Sequence, residues 1–426
     1  MVRSSLRIDL SPLRDLRDFR LLFGSGLVTG LGSFTTYVAM PFQIADITGS
    51  YVAVGLLGVL EVVPLVVFGL WGGVLADRLD RKMVVVITEI AMAALVLVLF
   101  LNSRSDQPAA WIVYVVALLF AACDGLQRPS LDAILPRVVP ADRVSSALAL
   151  GSLRGNFANV AGPALGGILI AVGGVDMAYL FDLATFGVSV SLLVAVSRVP
   201  SLRADDTGPL DDLREALAYV RRRPDVLGTY LVDTIAMLMA FPFALFPFVA
   251  TEFGADWSVG FLYSAVAVGS LIATLTSGWM KSIRHLGRAI VAAAFVWGIA
   301  IAMAGFVPSI WWVIACLAAA GAADMVSGHF RALLWNRTIP DELRGRMAGV
   351  ELLSYSVGPQ LGQVRSGLFA RWIGLRPAFI AGGFLAASGV GAAALALPAL
   401  WEFDIDEWTQ SERSDHSPAV SELHPE

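Results

Sequence analysis

Glu61 and Arg154 are the residues of this chain whose type and placement most need a chemical explanation. Each stands inside a long apolar run, where an ionisable group costs several kcal/mol unless it is paired or faces water. Glu61 lies roughly ten residues from the outer end of its run, and a rise of about 1.5 Å per residue puts it roughly 15 Å deep. Arg154 lies about as far in from the opposite end of its own run. A carboxylate at that depth could carry a proton or meet a cationic solute, with Arg154 as counter-ion or as a reader of anions. A purely structural ion pair is the competing reading. Asp124 with Gln127 and Arg128, and Asp324 with Ser327 and Arg331, recur at helical spacings, so each set shares a face and presents acid and then base toward one mouth. For these, ion pairs that hold a gate or the fold are the preferred reading. Asp182, Asp233, Glu89 and Glu351 are shallower or nearer a boundary, and structural pairing is expected of them.

A second pattern supplies a path. Ser25, Thr29, Ser33, Thr36, Met40 and Gln43 follow one another at steps of four or three, a continuous polar stripe that a lipid-facing helix would not carry. Tyr230, Asp233, Met237 and Phe241 form a larger, mostly apolar face in a later run. Aromatic and Met walls suit an amphipathic solute, although ordinary packing uses the same residues. Glu61, Arg154, Asp124, Thr29, Ser33, Thr36 and Asp233 are therefore the candidate substrate and proton pathway.

Such residues need a scaffold that surrounds them with hydrocarbon. The 426 residues are 57% hydrophobic and 15% charged, with mean hydropathy +0.72, which excludes an ordinary soluble enzyme, a disordered chain and a secreted disulfide scaffold. The spans are expected near 20–45, 51–76, 83–101, 110–132, 144–171 and 177–197, then 226–250, 257–280, 288–306, 310–331, 346–370 and 376–398. The fold class is an all-α membrane protein of twelve helices in two six-helix bundles. Lys and Arg crowd one set of connections (Arg78, Arg81 and Lys82; Arg128, Arg137 and Arg143; Lys281, Arg284 and Arg288; Arg331 to Arg346), against Arg104, Arg371 and Arg376 on the other. Positive residues stay in the cytoplasm, so both termini are expected there. The divisions are 1–19 as N-terminal segment, 20–197 as first bundle, 198–225 as cytoplasmic connection, 226–398 as second bundle and 399–426 as tail. The connection holds an amphipathic helix that starts at Asp211 and Asp212 and ends in Arg221, Arg222 and Arg223, charges that oppose the helix dipole. Asp124 and Asp324, Arg137 and Arg337, Pro140 and Pro340, and Gly174 and Gly374 match at an offset of 200, as a duplicated bundle would. Cys123 and Cys316 are expected as two buried thiols without a disulfide.

Residues 73–82 read Gly-Val-Leu-Ala-Asp-Arg-Leu-Asp-Arg-Lys, which resembles the signature loop of the major facilitator superfamily, with Asp80 where that pattern has Gly. The resemblance implies the twelve-helix major facilitator fold and a cytoplasmic latch built from Gly73, Asp77, Arg78, Arg81 and Lys82, with Asp77 at the start of the eleventh span. The alternative is that the basic residues only fix topology. Gly162-Pro163-Ala-Leu-Gly166-Gly167 resembles a motif of exporting antiporters in the same superfamily and implies a hinge or leak seal; close helix packing is the plainer explanation. A related Gly358-Pro359-Gln-Leu-Gly362 sits four residues off the 200-residue register. Arg128 through Arg143 resembles a loop of the bacterial exporters of enterobactin and macrolides. No Arg occurs in residues 111–123, so the arginine motif of proton antiporters is missing.

The resulting expectation is an inner-membrane secondary transporter that exports a small organic molecule of drug or siderophore class by alternating access in exchange for protons. An uptake symporter, a lipid flippase or a non-transporting receptor of the same fold remain alternatives. No phosphate-binding Gly-x-x-x-x-Gly-Lys loop, zinc spacing or Gly-x-Ser-x-Gly elbow occurs, so no enzyme, cofactor or metal is expected. The expected partners are a small-molecule substrate, protons and the bilayer, without nucleic acid, and the expected state is a monomer.

Overall fold

The computed structural model describes residues 9–78, 80–197 and 209–405, and the side chains of 70–78, 209–213, 341, 342, 345, 348 and 352 lie outside that description. The expected latch residues Gly73, Asp77 and Arg78 are in this last group, as are Asp211 and Asp212 of the connection.

The first bundle runs through span one (Arg17–Thr48), span two (Tyr51–Arg78), span three (Arg81–Ser103) and span four (Ala110–Val138). Spans five and six follow within one continuous stretch, Val144–Val194, broken at Gly173 and Gly174. The connecting helix Pro209–Arg222 leads to span seven, which starts as Pro224–Ala240. Span eight is Val259–Leu275, span nine Leu286–Phe306, span ten Ile310–Thr338, span eleven Asp341–Ile373 and span twelve Leu375–Ala396. We refer to the end of the molecule that carries Arg81 and Val144 as the Arg81 end, and to the other as the Gly49 end.

Among the described residues, ten helical stretches are long and apolar enough to cross a membrane. One of these holds both spans five and six, and span eleven makes the twelfth; span eleven falls short on apolarity because it carries Glu351, Gln360, Gln363 and Arg365. The turns between spans five and six and between spans eleven and twelve are set the same way. Gly174 has φ 76° and Gly374 φ 94°, values that favour glycine in each case, and they stand at the 200-residue offset.

Span seven departs from the single helix expected at 226–250. It stops at Ala240 and resumes through a short turn, Phe243–Leu245, and a second helix, Phe246–Glu252. Pro242 explains the break: it disfavours helical geometry at the preceding residue, and Phe241 has φ −77° and ψ 112°. Pro242 also has no N–H for the carbonyl of Leu238 four residues back. The Arg365 guanidinium of span eleven supplies the missing donor, Nε to Leu238 O at 3.1 Å.

Two seams join the bundles. In the first, spans five and eight meet backbone to backbone: a Cβ on Gly260 would lie 2.0 Å from Pro163 O, and one on Gly167 would lie 2.5 Å from Gly260 N. Ser264 Oγ crosses the seam to Val160 O at 2.7 Å. In the second, spans two and eleven approach so that a Cβ on Gly55 would sit 2.7 Å from Gln363 O, on Gly58 2.5 Å from Gln360 O, and on Gly367 2.5 Å from Tyr51 O. Both contacts lie toward the Gly49 end. Toward the Arg81 end spans five and eight part: nothing lies within 4 Å of a Cβ on Gly151, Gly155 or, just beyond span eight, Gly278, and Leu153 and Ile272 are exposed. Along spans five and eight the two bundles thus touch toward one end and part toward the other.

If the glycine seam is the seal, Gly260→Val cannot close it. Ser33→Cys, in a background lacking Cys123 and Cys316, is then expected to react with an impermeant thiol reagent from the Gly49 end on the order of tenfold faster, as a bias of about 1.4 kcal/mol gives. An unchanged labelling rate would mean the seal lies elsewhere.

Candidate functional site

Between the splayed bundles lies a cavity of about 420 Å³. Its wall is drawn almost wholly from the first bundle: Ser25, Thr29, Ser33, Thr36 and Met40 of span one, Glu61 of span two, Glu89 of span three, Asp124 and Arg128 of span four and Arg154 of span five, with Gln360 from span eleven. The polar stripe of span one therefore faces the cavity. Its last member turns away, as Gln43 accepts a hydrogen bond from Tyr179 of span six at 2.7 Å.

Glu61 is half-buried at the wall, and Gln360 Nε2 donates to its Oε2 at 3.3 Å. Gln363 Nε2 in turn donates to Gln360 Oε1 at 2.5 Å, so Glu61 is tied to the backbone seam through two amides of span eleven. Glu61 and Arg154 do not form the structural ion pair that the sequence left open. Arg154 instead donates to Leu22 O at 3.3 Å and lies 6.0 Å above the Phe23 ring. Gly26 makes room for it, since a Cβ there would fall 2.3 Å from its Nη1. Both charges thus face the cavity without neutralising each other.

Asp124 pairs with Arg128 at 2.7 Å on the cavity wall. The second bundle treats its equivalent differently. Arg331, 9% exposed, pairs closely with Asp233 and reaches Asp324 at 3.8 Å, while Ser354 Oγ donates to the second oxygen of Asp233 at 2.9 Å. Asp233 is not among the residues lining the cavity; its charge is spent holding spans seven, ten and eleven together.

Glu89 and Asp182 correct an expectation. Among the described residues neither has a cation within ion-pairing distance, so the structural pairing expected of them is not what the fold provides. Glu89 sits on the cavity wall with Thr29 Oγ1 at 3.3 Å and Gln127 Nε2 at 3.4 Å, and Asp182 is fully buried against Thr36.

An aromatic cluster closes the Gly49 side. Tyr37 of span one meets Tyr263 of span eight edge-on at 5.8 Å, and Phe243 and Phe246, from the broken part of span seven, pack on Tyr263 at 5.3 and 4.9 Å. Tyr51 and Phe248 add a contact at 4.4 Å. Tyr263 Oη donates to Phe243 O at 3.0 Å, so its polar end is satisfied by the turn that Pro242 creates.

The motif residues divide by face. Gly162 and Gly166 lie against Phe34 and Thr35 of span one, whereas Pro163 and Gly167 form the seam with span eight. Gly358 and Gly362 of span eleven lie against Met237 of span seven. The two glycine motifs thus make the same contact in their own bundles, fifth span on first and eleventh on seventh, despite the four-residue slip. Of the signature loop, Arg81 is buried and donates to Ala133 O of span four at 3.3 Å. Lys82 Nζ donates to Val194 O at 2.8 Å and also to Val196 O, capping the end of span six. Asp80, where the superfamily pattern has Gly, is the N-cap of span three and accepts from Lys82 N at 3.0 Å. Arg365, with its cation 5.1 Å over the Phe369 ring, is a further intramembrane charge that sequence reasoning passed over, although the rule that singled out Glu61 applies to it equally. Gln360 sat inside a motif examined only for its glycines.

Fold and cavity define a membrane transporter of the twelve-helix type. The pattern of the transmembrane secretion effector family matches residues 8–423, and the chain belongs to that family, within the major facilitator superfamily. Macrolide efflux protein A of Streptococcus pyogenes is 25% identical over 376 residues, 86% of this chain and 93% of that protein. Enterobactin exporter EntS of Citrobacter koseri is 27% identical over 366 residues, 85% and 87% of the two chains. Among solved structures, a POT family transporter superposes with TM-score 0.71 at 12% identity, covering 90% of this chain and 97% of that one. A bacterial homologue of the lysosomal transporter Spinster does so with TM-score 0.68 at 14% identity, covering 94% and 98%.

Asp233→Leu leaves Arg331 buried without its closest partner and is expected to cost about 3–5 kcal/mol, read as a lower thermal midpoint in detergent. The double variant Asp233→Leu with Arg331→Met should recover most of that loss. A midpoint unmoved by the single change would show that the pair does not hold the bundle.

Proposed function

We propose that this chain exports small amphipathic organic molecules from the cytoplasm across the inner membrane, by alternating access and in exchange for protons. The observation that carries the reading is the cavity itself, which is closed at the Gly49 end by backbone seams and aromatic rings and splayed at the Arg81 end. The Arg81 end is the cytoplasmic one by charge: among the described residues it gathers Arg81, Lys82, Arg137, Arg143, Lys281, Arg284 and Arg288, against Arg104, Arg371 and Arg376 at the other end. The conformation is then the one that loads from the cytoplasm. The relatives named for macrolide and enterobactin export support the outward direction.

Phe34, Tyr37, Met40, Met92 and Phe120 supply apolar wall, and Glu61 with Arg154 supplies unpaired charge of both signs. Such a site would orient a solute by its polar edge while the remainder rests on aromatic and thioether surface. Glu61 reads that polar edge, and its link through Gln360 and Gln363 to the seam would let an arriving solute bias how tightly the bundles close. Of the motif residues, Gly162, Pro163, Gly166 and Gly167 serve as hinge and seal, while Arg81 and Lys82 fasten the mouth of the first bundle. The termini lie in the cytoplasm and the working unit is a monomer.

The test is flux. Inverted membrane vesicles that hold the protein and are acidified inside should accumulate a lipophilic aromatic cation such as ethidium, and a pump-deficient host expressing the chain should gain resistance to toxic compounds of this class. Glu61→Gln should lower accumulation about tenfold at equal protein content. Undiminished flux in that variant across a pH range would reject the role given to Glu61, and absence of accumulation in the parent would favour the uptake or receptor readings.

A further inference from the structure

Span six turns one face toward span one, and that face carries Asp182, Thr185 and Ser189 at steps of three and four. Asp182 is 0% exposed, and hydroxyls alone meet its oxygens: Thr36 Oγ1 donates to Oδ2 at 2.5 Å and Thr185 Oγ1 reaches Oδ1 at 3.1 Å. The room for this arrangement comes from Gly32, where a Cβ would lie 2.3 Å from Oδ1. Further along, Ser189 is also 0% exposed, and its Oγ makes no hydrogen bond although it lies beside Glu89. Glu89, 4% exposed, reaches the cavity wall. The charged group that faces Asp182 is Glu89, and Glu89 shares the cavity wall with Glu61, Arg154, Asp124 and Arg128, of which Asp124 and Arg128 already pair at 2.7 Å. Thr36 and Thr29 of span one both line the cavity while touching Asp182 and Glu89 respectively.

We propose that Asp182 and Glu89 carry the proton that drives transport, with Thr36, Thr185 and Ser189 relaying it between them, and that Glu61 is left to read the substrate. The inference deepens the reading of the chain as a proton-driven exporter and rests on it. A bare carboxylate in hydrocarbon is expensive and a neutral carboxyl is not, so acids provided with hydroxyls and an amide instead of cations suit a group that alternates between the two forms. A hydroxyl can donate to a carboxylate or accept from a carboxyl, so the same partners serve both. When the Gly49 end opens, a hydronium ion reaching Thr36 loses a proton and leaves as water: the Thr36 hydroxyl takes that proton as it gives its own to Asp182, where the new O–H bond forms. When the Arg81 end opens, the proton passes along the hydroxyls to Glu89, whose O–H bond breaks to cavity water and leaves the carboxylate. Asp233 could not do this work, because Arg331 already holds it as an ion pair.

The experiment uses full-length protein in proteoliposomes with ethidium, together with infrared difference spectra of the reconstituted protein. Asp182→Asn and Glu89→Gln are each expected to lower pH-gradient-driven ethidium accumulation about tenfold and to remove a protonated-carboxyl C=O band of the parent, while gradient-free ethidium exchange stays at the parent rate in Asp182→Asn, whose side chain does not line the cavity. Glu61→Gln should lower both driven accumulation and exchange and keep that band. Driven accumulation at the parent level in Asp182→Asn and Glu89→Gln, or a carboxyl band unaltered by them, would overturn the assignment alone. Loss of exchange together with driven accumulation in Asp182→Asn would also overturn it, because that acid would then be serving binding or folding. A parent protein that ignores the pH gradient would overturn the proton-driven reading and this inference with it.

Discussion

Two helix pairs from different bundles can come to backbone contact only where side chains are missing, and the protein places glycine at those points. Gly167 and Gly260 between spans five and eight, and Gly55, Gly58 and Gly367 between spans two and eleven, let carbonyl and amide atoms of opposing helices touch. In lipid, where apolar surface gains little by leaving its surroundings, such dispersion contact is a principal source of helix association. Because both contacts lie toward one end, they behave as a closed hinge line: spans five and eight part beyond theirs, and the cavity opens beside the first bundle. The aromatic cluster around Tyr263 completes the closure, and it can do so because Pro242 interrupts span seven and swings Phe243 and Phe246 into position.

The bundles share a plan and use their polar residues differently. In the second, Asp233, Asp324 and Arg331 form a buried network with Ser354, a satisfied arrangement that fixes three helices. In the first, Glu61, Glu89 and Asp182 meet amides and hydroxyls instead of cations, and Arg154 meets a carbonyl. Buried charge that is neutralised serves rigidity; buried ionisable groups left without a counter-charge are tolerated where function needs them to change state or partner. The asymmetry accounts for a cavity lined almost entirely by the first bundle. The second bundle contributes mainly its seam, through Gln360, and its seal.

Hydropathy made the spans legible, because a helix without apolar length cannot cross a bilayer. Span eleven, the least apolar, was placed at 346–370 by the same reading, and its polar content is explained by its place at the seam. The stripe from Ser25 to Thr36 was legible for a related reason, since periodicity reports which residues share a face. What the face points at is not contained in one helix's periodicity. Glu89, Asp182 and Asp233 were therefore all assigned to structural pairing, and Asp233 to the pathway as well, although among the described residues the fold leaves the first two without cations and gives only Asp233 an arginine. The break at Phe241 was accessible, because Pro242 restricts its neighbour, but an apolar run across it outweighed that signal. Arg365 answers the carbonyl that Pro242 orphans, a relation between residues 127 apart in sequence that only three-dimensional packing reveals.

The claim on which the account rests is that the two ends of the molecule open in turn about the glycine seams. It is tested most directly by pulsed electron spin distances in proteoliposomes, with one label pair at Leu153 and Ile272 near the Arg81 end and another at Val172 and Trp311 near the Gly49 end, all four sites exposed. On imposing a proton gradient with transported solute present, the first distance should shorten while the second lengthens. Distances that stay fixed, or that change in the same direction at both ends, would contradict the account.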